Sequence, residues 1–146
     1  MSGPLLPVAV VGLHVLAAAV WVGGTLQAGH LVTPAASRGS REALDLLARG
    51  RRIAWGAAVL LVLTGLENLR RVGLSSPWLA AKLLGVMVLL ALAAQRDFGA
   101  LPRARRALAA GAAPGPALAG VRALDRAVLL LSVAVLLLGV AVARGY

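Results

Sequence analysis

Two histidines, one lysine and one glutamate interrupt the long apolar stretches of this chain, and they are its first candidates for chemistry. Imidazole nitrogens bind transition metals, whereas lysine and arginine side chains bind anionic groups. An ionisable side chain within a membrane-spanning segment is costly, so its presence there favours a functional role. The polar residues within or next to the apolar stretches include His14, His30, Glu67, Arg70, Arg71 and Lys82.

The composition predicts that these groups lie in a membrane protein. The chain has 146 residues, of which 60% are hydrophobic, whereas soluble domains have about 45–50% apolar residues. It contains no cysteine, which excludes disulfides, thiolate-bound zinc or copper, iron–sulfur clusters and covalent c-type haem attachment. The net charge of +10 also suits a nucleic-acid-binding protein, so the positions of the basic residues decide between these two classes.

Four apolar runs each span, or nearly span, the roughly 20 residues that a helix needs to cross a bilayer. Leu and Ala dominate these runs without the alternation of barrel strands, so they predict helices. We therefore expect an all-α fold, an integral membrane four-helix bundle that forms one transmembrane domain over residues 1–146. The predicted helices cover about residues 5–33, 51–69, 78–95 and 126–143, with cytoplasmic loops at 34–50 and 96–125.

The basic residues are distributed unequally between the two sides of this predicted bundle. Eleven of the fifteen cations lie in or beside the loops at 34–50 and 96–125, whereas Arg70, Arg71 and Arg144 lie toward the opposite side. The positive-inside rule places the basic loops in the cytoplasm and both termini on the outer, periplasmic side of a bacterial inner membrane. The asymmetry thus favours the lipid bilayer as the partner and disfavours nucleic acid.

Helix geometry places several polar groups at one depth. At a rise of about 1.5 Å per residue, His14, Glu67 and Lys82 fall in the outer half of three different helices, and Arg70 and Arg71 follow just beyond Glu67. This predicts a polar site that opens toward the outside. Two simpler interpretations remain open: Lys82 and Glu67 form only a structural ion pair, or the small residues near His14 only allow close helix packing.

Two other residues of the first helix are weaker candidates. Trp21 lies on the same stripe as His14, where it either packs or lines a site. His30 comes sixteen residues after His14, which places it about 24 Å deeper and on nearly the opposite helix face. The two imidazoles therefore cannot share one metal ion within a chain, and His30 is either an interfacial residue or a ligand of a second metal.

The stretch from Leu13 to Gly24, LHVLAAAVWVGG, resembles the opening helix of the copper-resistance protein D (CopD) superfamily, which is similar to the small HemJ-type membrane protoporphyrinogen oxidases. Two shorter matches follow in the same order, LTG at residues 63–65 and PWLAAKL at residues 77–83. The resemblance covers about the first two-thirds of the chain. It implies a four-helix membrane bundle.

The resemblance also implies roles for two residues. In the HemJ-type relatives a first-helix histidine is associated with haem and a third-helix lysine is required, and these positions match His14 and Lys82. The copper-resistance relatives imply copper movement across the inner membrane instead. After Gly24 the sequence departs from the HemJ pattern, because residues 25–30 replace an aromatic Leu-Pro-Arg-type continuation. The departure disfavours porphyrinogen oxidation.

Ligand chemistry favours haem b over copper. Copper needs Cys, Met or His ligands, and the chain has no Cys, two Met and two His that lie far apart. A b-type haem needs one axial imidazole, an apolar slot with small side chains, and cations for its propionates. The candidate cofactor-binding residues are His14, Trp21, Arg70, Arg71 and Lys82, and the candidate metal ligands are His14 and His30.

We therefore expect a haem b-binding membrane redox protein that performs electron transfer or small-gas and oxygen chemistry, as a haem-dependent oxidoreductase if it is an enzyme. The partners expected for such a protein are the lipid bilayer and a redox partner or respiratory complex, with a homo-oligomer as a further prediction. A copper-handling, CopD-like transport protein is the first alternative. A non-catalytic helper subunit of a respiratory or assembly complex is the second.

Overall fold

The computed structural model describes residues 5–72 and 77–144, and within them the side chains of residues 7–70 and 77–144. Over these described ranges the chain is helical and contains no strand, which confirms the all-α prediction. Three helical segments in the same ranges are long and apolar enough to cross a membrane, namely Pro7–Ser37, Pro77–Ala109 and Ala119–Ala143. These segments suit a multi-pass protein of a lipid bilayer.

The described helices form four long segments, two of which contain an internal π-helical turn. The second segment is the single 32-residue helix α3, and a turn at Gly39, with φ of +98°, connects it to the first. Glycine adopts this backbone conformation without steric cost. In chain order the elements are α1 (Leu5–Gln27), π1 (Ala28–Val32), α2 (Thr33–Ser37), α3 (Arg41–Val72), α4 (Pro77–Ala94), π2 (Gln95–Ala100), α5 (Leu101–Ala109), α6 (Pro114–Ala117) and α7 (Ala119–Ala143).

The helices continue well into both regions that the hydropathy pattern assigned to loops. Residues 34–50 are helical except for a turn at 38–40, and residues 96–125 are helical except at 110–113 and 118. Ala, Leu and Arg are strong helix formers, and the polar residues that indicated loops share these helices with an apolar face. That face forms a buried cluster of Ala36, Ala43, Leu101, Ala104, Leu118 and Val121. Hydropathy alone therefore predicts helices that are too short.

The long segments pack in two pairs, α1 along α3 and α4 along α7, and α1 also contacts α7. The second pair approaches closely at Gly85, where a Cβ atom would lie 2.9 Å from Val135 Cγ2. A larger residue there would force Val135 to shift, and small residues are common at such membrane helix contacts. Large apolar side chains on the outer surface, such as Leu84 and Leu130, are about two-thirds exposed, which suits contact with lipid.

Candidate functional site

The described ionisable side chains of interest lie at two levels along the helices. We call the level of His14, Thr64 and Lys82 the His14 end, and the level of Arg96, Asp97 and Asp125 the Arg96 end. The sequence pattern directed attention to the first level, through its isolated ionisable residues. The residues of the second level lie within the loop predicted at 96–125.

Hydrogen bonding to Thr64 and to the backbone of Leu61 orients the imidazole of His14. Its Nδ1 lies 2.8 Å from Thr64 Oγ1, and the same hydroxyl donates to the backbone oxygen of Leu60 at 2.7 Å. A hydroxyl has one hydrogen; when Thr64 uses it in the bond to Leu60, it accepts the bond from His14 Nδ1–H. In the neutral ring, the Nε2 atom then carries the lone pair, which is the form that binds a metal.

Glycine and lysine residues complete the His14 end. A Cβ atom on Gly65 would lie 3.4 Å from His14 Cε1, so the imidazole packs directly over that glycine. Lys82 is close enough for its charge to act on the imidazole, and its Nζ atom lies 3.3 Å from the position that a Cβ atom on Gly139 would take. The structure therefore brings His14 and Lys82 into one neighbourhood, between α1, α3, α4 and α7.

The other residues predicted for this level lie in different surroundings. Arg70 Nη1 pairs with Glu67 Oε2 at 3.3 Å along the same helix, and 78% of the Arg70 side chain is exposed. The side chain of Arg71 lies outside the described residues. Trp21 is 3% exposed within an apolar cluster, and its Nε1 donates to Ser132 Oγ at 3.1 Å. Trp21 therefore packs between helices.

His30 lies in π1, beside a cavity of about 220 Å³ that Asp125 and Arg126 also line. Along the helix it is about 24 Å from His14. Within residues 5–72 and 77–144, no group of three His, Cys, Asp or Glu side chains is arranged to hold a metal ion. A metal bound at the His14 end would therefore receive one imidazole from this chain.

The Arg96 end contains a buried ion-pair triad. Arg96 binds Asp97 through two parallel bonds, Nε to Oδ1 at 2.8 Å and Nη2 to Oδ2 at 3.1 Å, and its Nη1 donates to Asp125 Oδ1 at 3.1 Å. The exposed fractions of the three residues are 7%, 3% and 2%. Such bidentate arginine–carboxylate geometry is strong and directional. The triad connects π2 to α7.

Neighbouring side chains complete the hydrogen bonding of the triad. Thr33 Oγ1 donates to Asp125 Oδ2 at 2.7 Å, and Trp55 Nε1 donates to Asp97 Oδ2 at 2.9 Å. Every carboxylate oxygen of the triad thus has a partner, and no buried polar side-chain atom of the described residues lacks one. The network ties α2, α3, π2 and α7 together.

Sequence reasoning missed this network because hydropathy ended the third helix at residue 95 and began the fourth at 126. Asp97 and Asp125 therefore lie in the predicted loop, and the sequence uses Arg96 only as evidence for the orientation in the membrane. A usable signal was present, since the chain has only five acidic residues. Two of them, Asp97 and Asp125, directly flank apolar runs, where an unpaired charge is costly.

Comparisons of the chain with protein-family models, with curated proteins and with solved structures find no match. The resemblance of residues 13–24, 63–65 and 77–83 to the CopD and HemJ-type families stays a prediction. The geometry of the two levels therefore carries the functional proposals.

Proposed function

We propose that this chain is an integral membrane haem b protein in which His14 is the one axial ligand from the chain. The observation that supports this most directly is the hydrogen bond between His14 and Thr64. It selects the tautomer with a lone pair on Nε2 and holds the ring in one orientation. Metal-binding histidines typically donate the N–H of their other ring nitrogen to a hydrogen-bond acceptor.

The proposal includes the membrane topology. The four long segments cross the bilayer as a four-helix bundle, with both termini on the periplasmic side of a bacterial inner membrane. The distribution of arginines supports this orientation. The 32 residues of α3 give a helix about 48 Å long, which exceeds the thickness of the hydrocarbon core. The His14 end then lies in the outer half.

The residue types at the His14 end are those that one haem with a single protein ligand needs. His14 would hold the iron through Nε2, and Lys82, with Arg70 and Arg71, would supply cations for the propionates. When bound, a haem with one protein ligand supplies one-electron transfer and an iron coordination position for a small gas. Thr64 fixes the imidazole, and Lys82 adds positive charge beside it. Trp21 donates its Nε1–H to Ser132, and its contact with the cofactor stays a prediction.

The visible spectrum of the purified full chain, produced with a supply of haem, tests the proposal. We expect a Soret band that is lost in His14→Ala, because that substitution removes the axial ligand. His30→Ala is the matched control and keeps the band, since His30 lies at the opposite level. A colourless wild-type protein, or a band that persists in folded His14→Ala, contradicts the proposal. A colourless protein that binds stoichiometric Cu(I) favours copper handling, and one that binds neither favours a helper subunit.

A further inference from the structure

We infer that the cavity beside the Arg96 triad binds a phosphate group, from an anionic lipid or from a soluble phosphate, and that Arg51 is its main recognition residue. The cavity has a volume of about 410 Å³, within the range of about 300–1,000 Å³ typical of small-molecule sites. It lies at the level opposite the proposed haem. The inference therefore does not depend on haem binding.

The walls of this cavity combine small, apolar and cationic residues. Gly24 and Ala28 of the first segment leave space for a ligand, and Val20, Ile53 and Val121 supply apolar surface. The charged residues of the lining are Arg49, Arg51, Arg96, Asp97 and Asp125. Such a mixture suits a ligand with one charged end and an apolar body.

Arg51 is held in place by π2. Its Nη1 donates to the backbone oxygen of Asp97 at 3.1 Å, and its Cζ atom lies 5.6 Å from the centroid of the Phe98 ring. The bond to Asp97 uses one of the five N–H donors of the guanidinium. Because Arg51 is half-buried and lines the cavity, its other donors are within reach of a ligand there. A pre-positioned guanidinium is well suited to bind phosphate or carboxylate.

The charges of the lining favour an anion. Three arginines face two aspartates, which leaves one positive charge in excess. The carboxylate oxygens of Asp97 and Asp125 are already bonded to Arg96, Thr33 and Trp55, so they offer little to a cationic ligand. One bound anionic group would neutralise the lining.

The two π-helical segments, π1 and π2, both lie beside this cavity. Residues of π1 and of π2 both line the cavity, among them Ala28, Val32, Arg96 and Asp97. In π2 two consecutive side chains, Arg96 and Asp97, are both buried. Short π-helical turns occur frequently at functional sites.

The test uses the full chain in nanodiscs of phosphatidylcholine, with two probes. The first is phosphatidylglycerol included in the disc, and the second is inorganic phosphate added to discs without it. Trp55 is the reporter, because it bonds to Asp97 and its ring centroid lies 5.4 Å from that of Phe98. The tryptophan fluorescence of the chain, to which Trp21 and Trp78 also contribute, gives the binding curve, and native mass spectrometry counts the retained lipids. We expect saturable binding of one lipid per chain.

Two pairs of variants separate the cavity from the basic surface. Arg51→Gln should weaken binding about tenfold or more, because it removes charge-assisted hydrogen bonds. Arg52→Gln removes the same charge from the next residue, which is exposed and lies outside the cavity lining. Gly24→Leu fills the cavity without a change of charge, and Gly23→Leu is its control. A Cβ atom on either glycine would meet no atom within 4 Å, so both variants should fold.

The outcomes are distinct. Lipid binding that is lost in Arg51→Gln and Gly24→Leu but kept in Arg52→Gln and Gly23→Leu supports the inference with a lipid headgroup as the source of the anion. Binding of inorganic phosphate with the same variant pattern supports it with a soluble source. Equal weakening in Arg51→Gln and Arg52→Gln, or no binding of either probe to the folded wild-type chain, overturns it. None of these outcomes depends on the haem spectrum, which tests the His14 end separately.

Discussion

The two polar levels of this molecule differ in how far their polar groups are satisfied. At the Arg96 end, a guanidinium and two carboxylates bond to one another and to Thr33 and Trp55, and each carboxylate oxygen has a partner. At the His14 end, hydrogen bonding to Thr64 and to the backbone of Leu61 orients an imidazole, which is the group proposed to bind a metal. The first level is a closed network, and the second presents a group that can bind a ligand.

This difference distinguishes two kinds of polar group on apolar helices. A fully paired network holds helices in register. Removal of one partner leaves the other buried charges unpaired, which destabilises the folded state. A group that keeps a free donor or acceptor after its own position is fixed can bind something else. His14 meets this condition at one level, and Arg51, beside the closed network, meets it at the other.

The largest effect is expected from Arg96→Gln. It leaves the buried carboxylates of Asp97 and Asp125 without their shared cation, which costs about 3–5 kcal/mol in the free energy of unfolding. Thermal unfolding in detergent, followed by circular dichroism, measures the loss. Arg103→Gln is the control, because Arg103 is an exposed residue of the same helical segment. Equal stabilities of the two variants would show that the triad does not contribute to the free energy of unfolding.

A smaller loss is expected from Asp125→Asn. Arg96 keeps both bonds to Asp97, so the remaining pair is neutral and the cost is about 1–2 kcal/mol, that of weakened hydrogen bonds. The same unfolding assay ranks it below Arg96→Gln. Asp45→Asn, at an exposed position, controls for the change in net charge. A loss as large as that of Arg96→Gln would mean that Asp125, rather than Arg96, is the centre of the network.

Trp55→Phe sharpens the comparison within the network. The substitution removes the bond to Asp97 Oδ2 but keeps an aromatic ring beside Phe98, so we expect a loss of about 1 kcal/mol. Trp78→Phe, at a residue that is 44% exposed, should leave the unfolding midpoint unchanged. No difference between the two would place Trp55 outside the set of groups that stabilise this end.

The smallest change in stability is expected from Thr64→Val at the His14 end. Hydrogen bonds between membrane helices contribute about 0.6 kcal/mol on average, so the unfolding midpoint should barely move. The orientation of His14 depends on this bond, however, so the spectrum or reduction potential of the proposed haem should shift. Thr64→Ser keeps the hydroxyl and should restore both. A large stability loss with an unchanged spectrum would make this level structural as well.

The sequence identified part of the His14 end and none of the Arg96 network. His14 and Lys82 could be chosen because each interrupts an apolar run, and a helix of known rise places them at similar depths. The hydrogen bond between His14 and Thr64 could not be predicted from the sequence, because it depends on how α1 and α3 are rotated against each other. For Trp21, the sequence left packing and site lining open. The structure shows that Trp21 is buried and bonded to Ser132, 111 residues away, and site lining stays a prediction.

The sequence by itself determined the all-α class, the long apolar helices and the isolation of its two histidines, because these follow from local composition and from the fixed geometry of the helix. Only the tertiary structure decided where the helices end and which charges are buried. Arg96 and Asp125 are 29 residues apart, and they meet because π2 turns Arg96 inward while α7 begins early enough to present Asp125. Such a pairing depends on helix crossing, which no local pattern encodes.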